Sequence, residues 1–281
     1  MKVCKTVGLV GAGGVNQSFV ARMPALLGRL GPVKGSSLRV ARRISNEFRA
    51  GEAIAGYADL KSCECIWISV PEEILDRVTG EIAREVCLRG KMVVVCGVLR
   101  DSPRIGPLRS AGAAVATLNC VPESGERVFV SEGQRAVLTE LRKQLALDGR
   151  KLIELGPARK ALYLSGIHIG AHLLIPWIAG AAESFRAAGL SRAEATRLVQ
   201  ALGTKALRSY GTAGERAWKQ AESEAIARAI DAAMEVIRSV DPWLAALHLE
   251  GAGVLQGLAR KRRSPARAAR LPAKLVARKA S

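Results

Sequence analysis

Residues 6–20 read "TVGLVGAGGVNQSFV". A short apolar run ends at Gly11, and Gly13 and Gly14 follow within three residues. The pattern predicts a buried strand over 5–10, a tight turn and the opening of a helix. In Gly11-Ala12-Gly13-Gly14-Val15-Asn16 the first glycine permits the turn and the second lets the backbone approach a pyrophosphate. The third position packs the helix against the strand, and free N–H groups at the helix start face the phosphates. Asn16 is the irregular member, because a small residue is usual there. Its amide can instead bond a backbone group or a phosphate.

Working outward, strands are predicted at 34–39, 65–70, 92–96, 114–118, 127–131 and 151–155. Helices are predicted at 14–30, 41–50, 72–87 and 134–147, with Pro24 kinking or ending the first. Continuous β-branched runs alternating with amphipathic helices argue for a doubly wound parallel sheet. From Gly156 the strand signals stop, and helices are expected over 158–187, 191–209, 214–239 and 241–259. Ser191 with Glu194 reads as a capping box, and Asp241-Pro242 as a helix start. The chain is therefore read as α/β: a dinucleotide-binding domain over 1–155, an all-helical domain for substrate or dimerisation over 156–259, and a basic tail over 260–281.

The 281 residues are 49% hydrophobic, enough for one large or two modest cores. The apolar segment before the glycines is too short for a secretory signal, which points to the cytoplasm. Cys4, Cys63, Cys65, Cys87, Cys96 and Cys120 form no C-x-x-C pair and read as small buried thiols in a reducing compartment. Half of the net charge of +18 comes from nine basic residues in the segment from Arg260 onward, which has no acid. That tail is expected to be disordered when free and to touch anionic surfaces weakly. No aromatic residues interleave with its charges, which argues against specific nucleic-acid binding. Residues 161–182 contain no Asp, Glu, Lys or Arg, a length that can span a bilayer. Their two histidines, one proline and solitary occurrence favour a helix buried in a helical core or a dimer interface instead.

The end of the second strand discriminates between nicotinamide cofactors. An NAD site places an acid there, whereas this chain has Ser36, Ser37 and Arg39, with Arg42 and Arg43 close behind. Such a set favours NADP(H). Ser69, Val70 and Pro71 follow another strand and would border the crevice, and Gly97 after Cys96 allows close approach of cofactor or substrate.

"GLVGAGGV", "SLR", "CIWISVPEEIL", "KMVVVCGVL", "GAAVATLN" and "ARKALYLSGIHIGAHLL" together resemble a family of bacterial proteins. Its members pair a Rossmann-like oxidoreductase domain with a helical C-terminal domain of unknown function. They are related to pyrroline-5-carboxylate reductases, prephenate dehydrogenases and the group with a 6-phosphogluconate-dehydrogenase-like C-terminal domain. The resemblance covers residues 4–259. It implies a Rossmann-type doubly wound sheet, a bound NADP, a helical domain that dimerises and an active site between the domains. It names no substrate. The chain departs from its relatives at Asn119-Cys120-Val121-Pro122, where His-Pro is usual, and at Gly156-x-x-x-Lys160-x-x-x-Leu164, where β-hydroxyacid dehydrogenases carry Asn in the last position. Closer relatives often have His at the position of Leu164 and Asn at that of His172.

Hydride transfer to a C=O or C=N bond needs a proton donor beside the reacting atom. Lys160, at the domain junction, is the first candidate, and His172 on the same helix the second. His168 and His172 have metal spacing but no third ligand. Two readings stay open. One is an NADPH-dependent reductase or dehydrogenase acting on a small carbonyl or imine, favoured by the glycine loop and Lys160. The other is a non-catalytic NADP(H)-binding sensor or assembly protein, favoured by Leu164 and Asn119.

Overall fold

The computed structural model describes residues 5–11, 20, 23–97, 105–121, 127–156, 159–217 and 220–263. Gly13, Gly14, Val15 and Asn16 of the glycine loop lie outside the described residues, as do Cys4, Pro122 and residues 264–281. The chain divides into two compact units, residues 1–164 and 165–281.

The first unit runs β1 (Val7–Val10), α1 (Pro24–Leu27), β2 (Leu30–Lys34), α2 (Leu38–Phe48), β3 (Glu52–Ile54), a 3-10 turn (Tyr57–Ser62), β4 (Cys65–Ile68) and α3 (Glu72–Glu85). It continues with β5 (Met92–Cys96), α4 (Gly106–Ser110), β6 (Ala114–Cys120), β7 (Val128–Gly133), α5 (Arg135–Leu147) and β8 (Lys151–Glu154). The strands form one sheet in the order β3-β2-β1-β4-β5-β6-β7-β8. The first six strands follow the order of a Rossmann-type sheet. Alternate residues of the central strands feed two cores. Val7, Leu9, Trp67 and Val94 pack with Val33, Ile44 and Phe48 on one face. Val10, Ile66, Ile68, Val93 and Val95 pack with Leu75, Val78 and Ile82 on the other. Burial on both faces is why these strands read as unbroken apolar runs.

The sheet is parallel from β3 through β6, but β7 runs antiparallel to β6 and β8 follows β7. The link between β6 and β7 is the short segment 121–127, too short for the crossover that a parallel partner requires. The segment before α2 also differs from expectation. The helix expected over 14–30 does not reach 30, and Pro24, expected to kink or end it, instead heads the separate short helix α1. A proline is tolerated in that first turn because its missing N–H would have no partner there anyway. The strand expected over 34–39 lies at Leu30–Lys34, and Ser37 already caps α2. β2 carries one more residue than β1 between the pairs Val7–Leu30 and Leu9–Val33. The irregularity accommodates Gly31-Pro32, residues poorly suited to a regular interior strand.

α6 (Lys160–Ile167) crosses the boundary between the units and continues through a π-helical turn (His168–His172) into α7 (Leu174–Ala187). The second unit then holds α8 (Arg192–Ala213), a 3-10 turn (Gly214–Ala217), α9 (Gln220–Ala232), α10 (Met234–Val240) and α11 (Pro242–Arg263). It is all-helical among the described residues, as expected. The Ser191–Glu194 capping box is formed in both directions, at 2.9 and 3.3 Å. Asp241 accepts the Trp243 N–H at 2.8 Å and starts α11. Arg260–Arg263, expected to open a disordered tail, are instead part of α11.

Apart from Gly180, no residue of the charge-free segment is buried. The helix Lys160–Ala187 is long and apolar enough to cross a membrane by length and composition, and its apolar window has no buried residue. The buried apolar side chains of the second unit are Ala195, Leu244 and Ala245 among the described residues. Large apolar side chains such as Ile169, Ile175, Trp177 and Ile178 are exposed, Ile175 by 61%.

Candidate functional site

β1 pairs with β2 on one side and β4 on the other, and the chain leaves their carboxyl ends in opposite directions along the sheet. Open α/β sheets bind ligands in the crevice at such a reversal. Gly11 stands at its base. Its N–H donates to the Lys34 carbonyl at 2.8 Å, and the Ser69 N–H donates to the Val10 carbonyl at 2.8 Å. The ends of β1, β2 and β4 are thus tied together. Gly11 has φ +102°, and a Cβ there would lie 1.9 Å from the Ser69 carbonyl oxygen. No residue with a side chain fits this position without moving the backbone.

A cavity of about 410 Å³ opens beside Gly11. Val10, Gly11, Lys34, Gly35, Ser36, Val70 and Pro71 form one part of its lining. Tyr57 and the α3 residues Ile74, Arg77, Val78 and Glu81 form the rest. Ser69 is buried behind Val70 at the end of β4. Two predicted cofactor residues, Ser37 just before α2 and Arg39 in its first turn, stand outside the lining. The Ser37 hydroxyl accepts the Val40 N–H at 3.3 Å as the α2 cap, and Arg39 is exposed.

Sequence reasoning missed Lys34, Tyr57, Arg77 and Glu81. The Lys34 ammonium donates to the Gly35 carbonyl at 2.8 Å and lies 5.2 Å from the centre of the Tyr57 ring. Burial, followed by the charge and hydrogen bonding of the Glu81 carboxylate, pushes the Tyr57 hydroxyl up to about 12. The Arg77 guanidinium opposes that shift. Arg77 and Glu81 show a legible i,i+4 spacing on α3. Nothing in the sequence brings Tyr57 to them.

Farther along the same sheet edge, Gly97 follows β5 with φ +72° and open space around it. Its N–H donates to the Leu118 carbonyl at 3.0 Å. Asn119 and Cys120 end β6 on this edge. Lys160 is 2% exposed at the start of α6. Tyr163 follows one turn later, its hydroxyl oxygen buried and without a hydrogen bond among the described residues. Burial first, and Cys120 second, raise the Tyr163 pKa. His172 belongs to the second unit, exposed on the π-helical turn, its ring 5.6 Å from that of His168.

Together these features define a Rossmann-type sheet followed by a helical unit. The glycine cradle stands at the sheet reversal with the cavity beside it. No protein-family model matches the sequence, and no curated protein matches it either. Solved structures do match. Protein TM1727 from Thermotoga maritima shares 15% identity at a TM-score of 0.65, covering 92% of this chain and 100% of that one. An imine reductase from Aspergillus terreus shares 15% at 0.64, covering 93% and 96%. A pyrroline-5-carboxylate reductase from Coxiella burnetii shares 12% at 0.54, covering 90% and 99%. At these identities the likeness establishes a common fold. The resemblance drawn from the sequence motifs is met at that level.

Proposed function

We propose that this chain is an NADP(H)-dependent oxidoreductase acting on a small carbonyl or imine. The observation that carries the reading is Gly11. It is a glycine-only cradle at the sheet reversal, opening onto a cavity whose β2 edge offers Lys34, Gly35 and Ser36 and no acid. An acid at the end of β2 would bind ribose hydroxyls and repel a 2′-phosphate. Gly11 would floor the cofactor site, with Val70 and Pro71 as its wall. Gly13, Gly14, Val15 and Asn16 would meet the pyrophosphate, and Gly97 would leave room along the edge. The cofactor supplies or accepts the hydride. The chain must bind it, shield the reacting centre and deliver a proton, a task assigned to Lys160, with His172 as the second candidate. The Aspergillus terreus imine reductase is solved in complex with NADPH4, which supports the cofactor class.

NADPH titration followed by fluorescence, then oxidation of NADPH against a panel of keto acids and cyclic imines, tests the reading. Tight binding with turnover supports it. Binding without turnover selects the non-catalytic sensor that Leu164 and Asn119 favour, and no binding removes both.

The chain is further assigned a homodimeric state, with the apolar helix over 161–182 meeting a second copy. Among the described residues, Ile169, Ile175, Trp177 and Ile178 of that stretch stand exposed, and clustered exposed apolar side chains mark interaction surfaces. The absence of charge from that stretch suits a self-complementary contact. A cytoplasmic location fits the free thiols at Cys63, Cys65, Cys87, Cys96 and Cys120.

A further inference from the structure

We propose that His168 and His172 form half of a zinc site, completed by the same two histidines of a second copy of the chain, so that one metal ion ties the dimer at its two-fold axis. The inference rests on the homodimer reading above, in which the apolar helix meets its own copy, and adds to it a metal and the residues that hold it.

The two side chains belong to the π-helical turn, which the Leu173 N–H closes by donating to the His168 carbonyl at 2.8 Å. Such turns are uncommon, and where they occur they often mark functional sites. Both residues are exposed, and their ring centres stand 5.6 Å apart with the planes tilted by 32°. Zinc lies about 2.0–2.1 Å from a ligating imidazole nitrogen, which puts it about 3.2 Å from the ring centre. Two rings at the tetrahedral angle then have centres about 5.2 Å apart. The spacing of His168 and His172 is close to that value, so one ion is within reach of both. Ile169 and Ile175, both exposed, flank the pair and supply an apolar shell that excludes water.

One chain supplies only these two ligands. Residues 161–182 hold no Asp, Glu or Cys, and no group of three His, Cys, Asp or Glu side chains suited to a metal occurs among the described residues. The third histidine of the chain, His248, lies in α11. A closed zinc site needs four ligands. Two-fold symmetry provides the other two. An antiparallel isologous contact along the whole charge-free stretch places the axis at its middle, between Ala171 and His172. The histidine pairs of both copies then meet beside the axis, and four imidazoles enclose one ion. Neutral nitrogen ligands of this kind suit zinc. With all four positions filled by protein, the ion is structural and offers no open position to a substrate. His172 is thereby committed to the metal, and the proton of the proposed reaction stays with Lys160.

The test uses the full, untagged chain freed of metal with EDTA. Isothermal titration with zinc chloride should give one ion per two chains. Light scattering should show the dimer persisting to a protein concentration about tenfold or more lower with zinc than with EDTA. Cobalt(II) in place of zinc should give the visible absorption of a tetrahedral site, without the near-ultraviolet band of thiolate ligation. His168→Gln and His172→Gln should each weaken zinc binding about a hundredfold or more, since losing a ligand costs at least what losing its supporting contacts does. His248→Gln should bind as the wild type does. Both ligand positions are exposed, so the variants keep the fold, and the stoichiometry and cobalt spectrum of the wild-type chain need no variant. The shared site is overturned by one ion per chain with no change in mass, by a thiolate band, or by unaltered affinity in His168→Gln or His172→Gln. A dimer that binds no zinc removes the metal alone and leaves the dimer reading standing. A monomer at every concentration, with zinc and with EDTA, removes the dimer reading and this site with it.

Discussion

Replacing Gly11 by alanine tests the base of the crevice most directly. The new methyl group would sit 1.9 Å from the Ser69 carbonyl oxygen, where real Cβ atoms essentially never come closer than 3.0 Å. Relief requires the ends of β1 and β4 to move apart by roughly 1 Å. Ser69 cannot yield cheaply, because its N–H is bonded to Val10 and it follows a strand buried on both faces. The positive φ alone costs a residue with a Cβ about 1–2 kcal/mol. Weakening the Ser69–Val10 and Gly11–Lys34 hydrogen bonds adds about 1 kcal/mol each. The expected loss is therefore about 3–4 kcal/mol, at the severe end for one methyl group. Urea denaturation followed by circular dichroism measures it, and NADPH titration of the same variant should show loss of binding. Gly97→Ala is the matched control: its φ is +72°, but nothing lies within 4 Å of the added atom. It should cost only the strain of about 1–2 kcal/mol. Equal costs for the two variants would refute the close approach as the reason for glycine at position 11.

The thiols should differ sharply in reactivity. Cys87 is exposed and should react first with a maleimide, whereas Cys96, which burial pushes up to about 12, should react only on unfolding; mass spectrometry of partially labelled protein reads the order. Tyr57 should lend stability that depends on alkaline pH. Its folded value is raised from 10.0 to about 12, so the fold favours the neutral phenol. The contribution is complete below pH 10 and lost as pH rises toward 12, and Tyr57→Phe should remove the corresponding late step from a tyrosinate absorbance titration. Ile175→Glu places a charge in the exposed apolar face of α7 and should turn a dimer into a monomer by light scattering. An unchanged mass would place the contact elsewhere, and partition of the wild-type chain into lipid vesicles would assign the helix to a membrane.

The central sheet was legible because its strands are buried on both faces. β5 has the bounds its apolar run predicts, and β4 begins where predicted. β2 was hidden for a local reason. Leu30 and Val33 pack on the same core although they are three residues apart, so a period of two cannot find them. That miss displaced the strand end and drew attention to Ser37 and Arg39 in place of Lys34. Tyr57 and Arg77 were beyond reach for a different reason. They meet only because β2, β1 and β4 lie side by side, a tertiary fact with no local signature. In the second unit, local capping signals at Ser191 and Asp241 were sufficient to locate helix starts. The π-helical turn at His168–His172 carried none, and it alters the angular spacing that a regular α-helix would give Lys160 and His172.

The additional residue at Gly31-Pro32 also bears on how this chain should be compared with others. The ladder is in register on either side of it, so one residue is spare there. A relative with a regular second strand would be a residue shorter at this point while keeping both flanking pairs, Val7–Leu30 and Leu9–Val33, in place. An alignment that forbids a gap inside the strand would then slide Lys34 one position against its structural counterpart. Cofactor preference assigned by matching columns would be read from the wrong residue. The gap belongs within the strand, and the residue to compare is the one level with Val10.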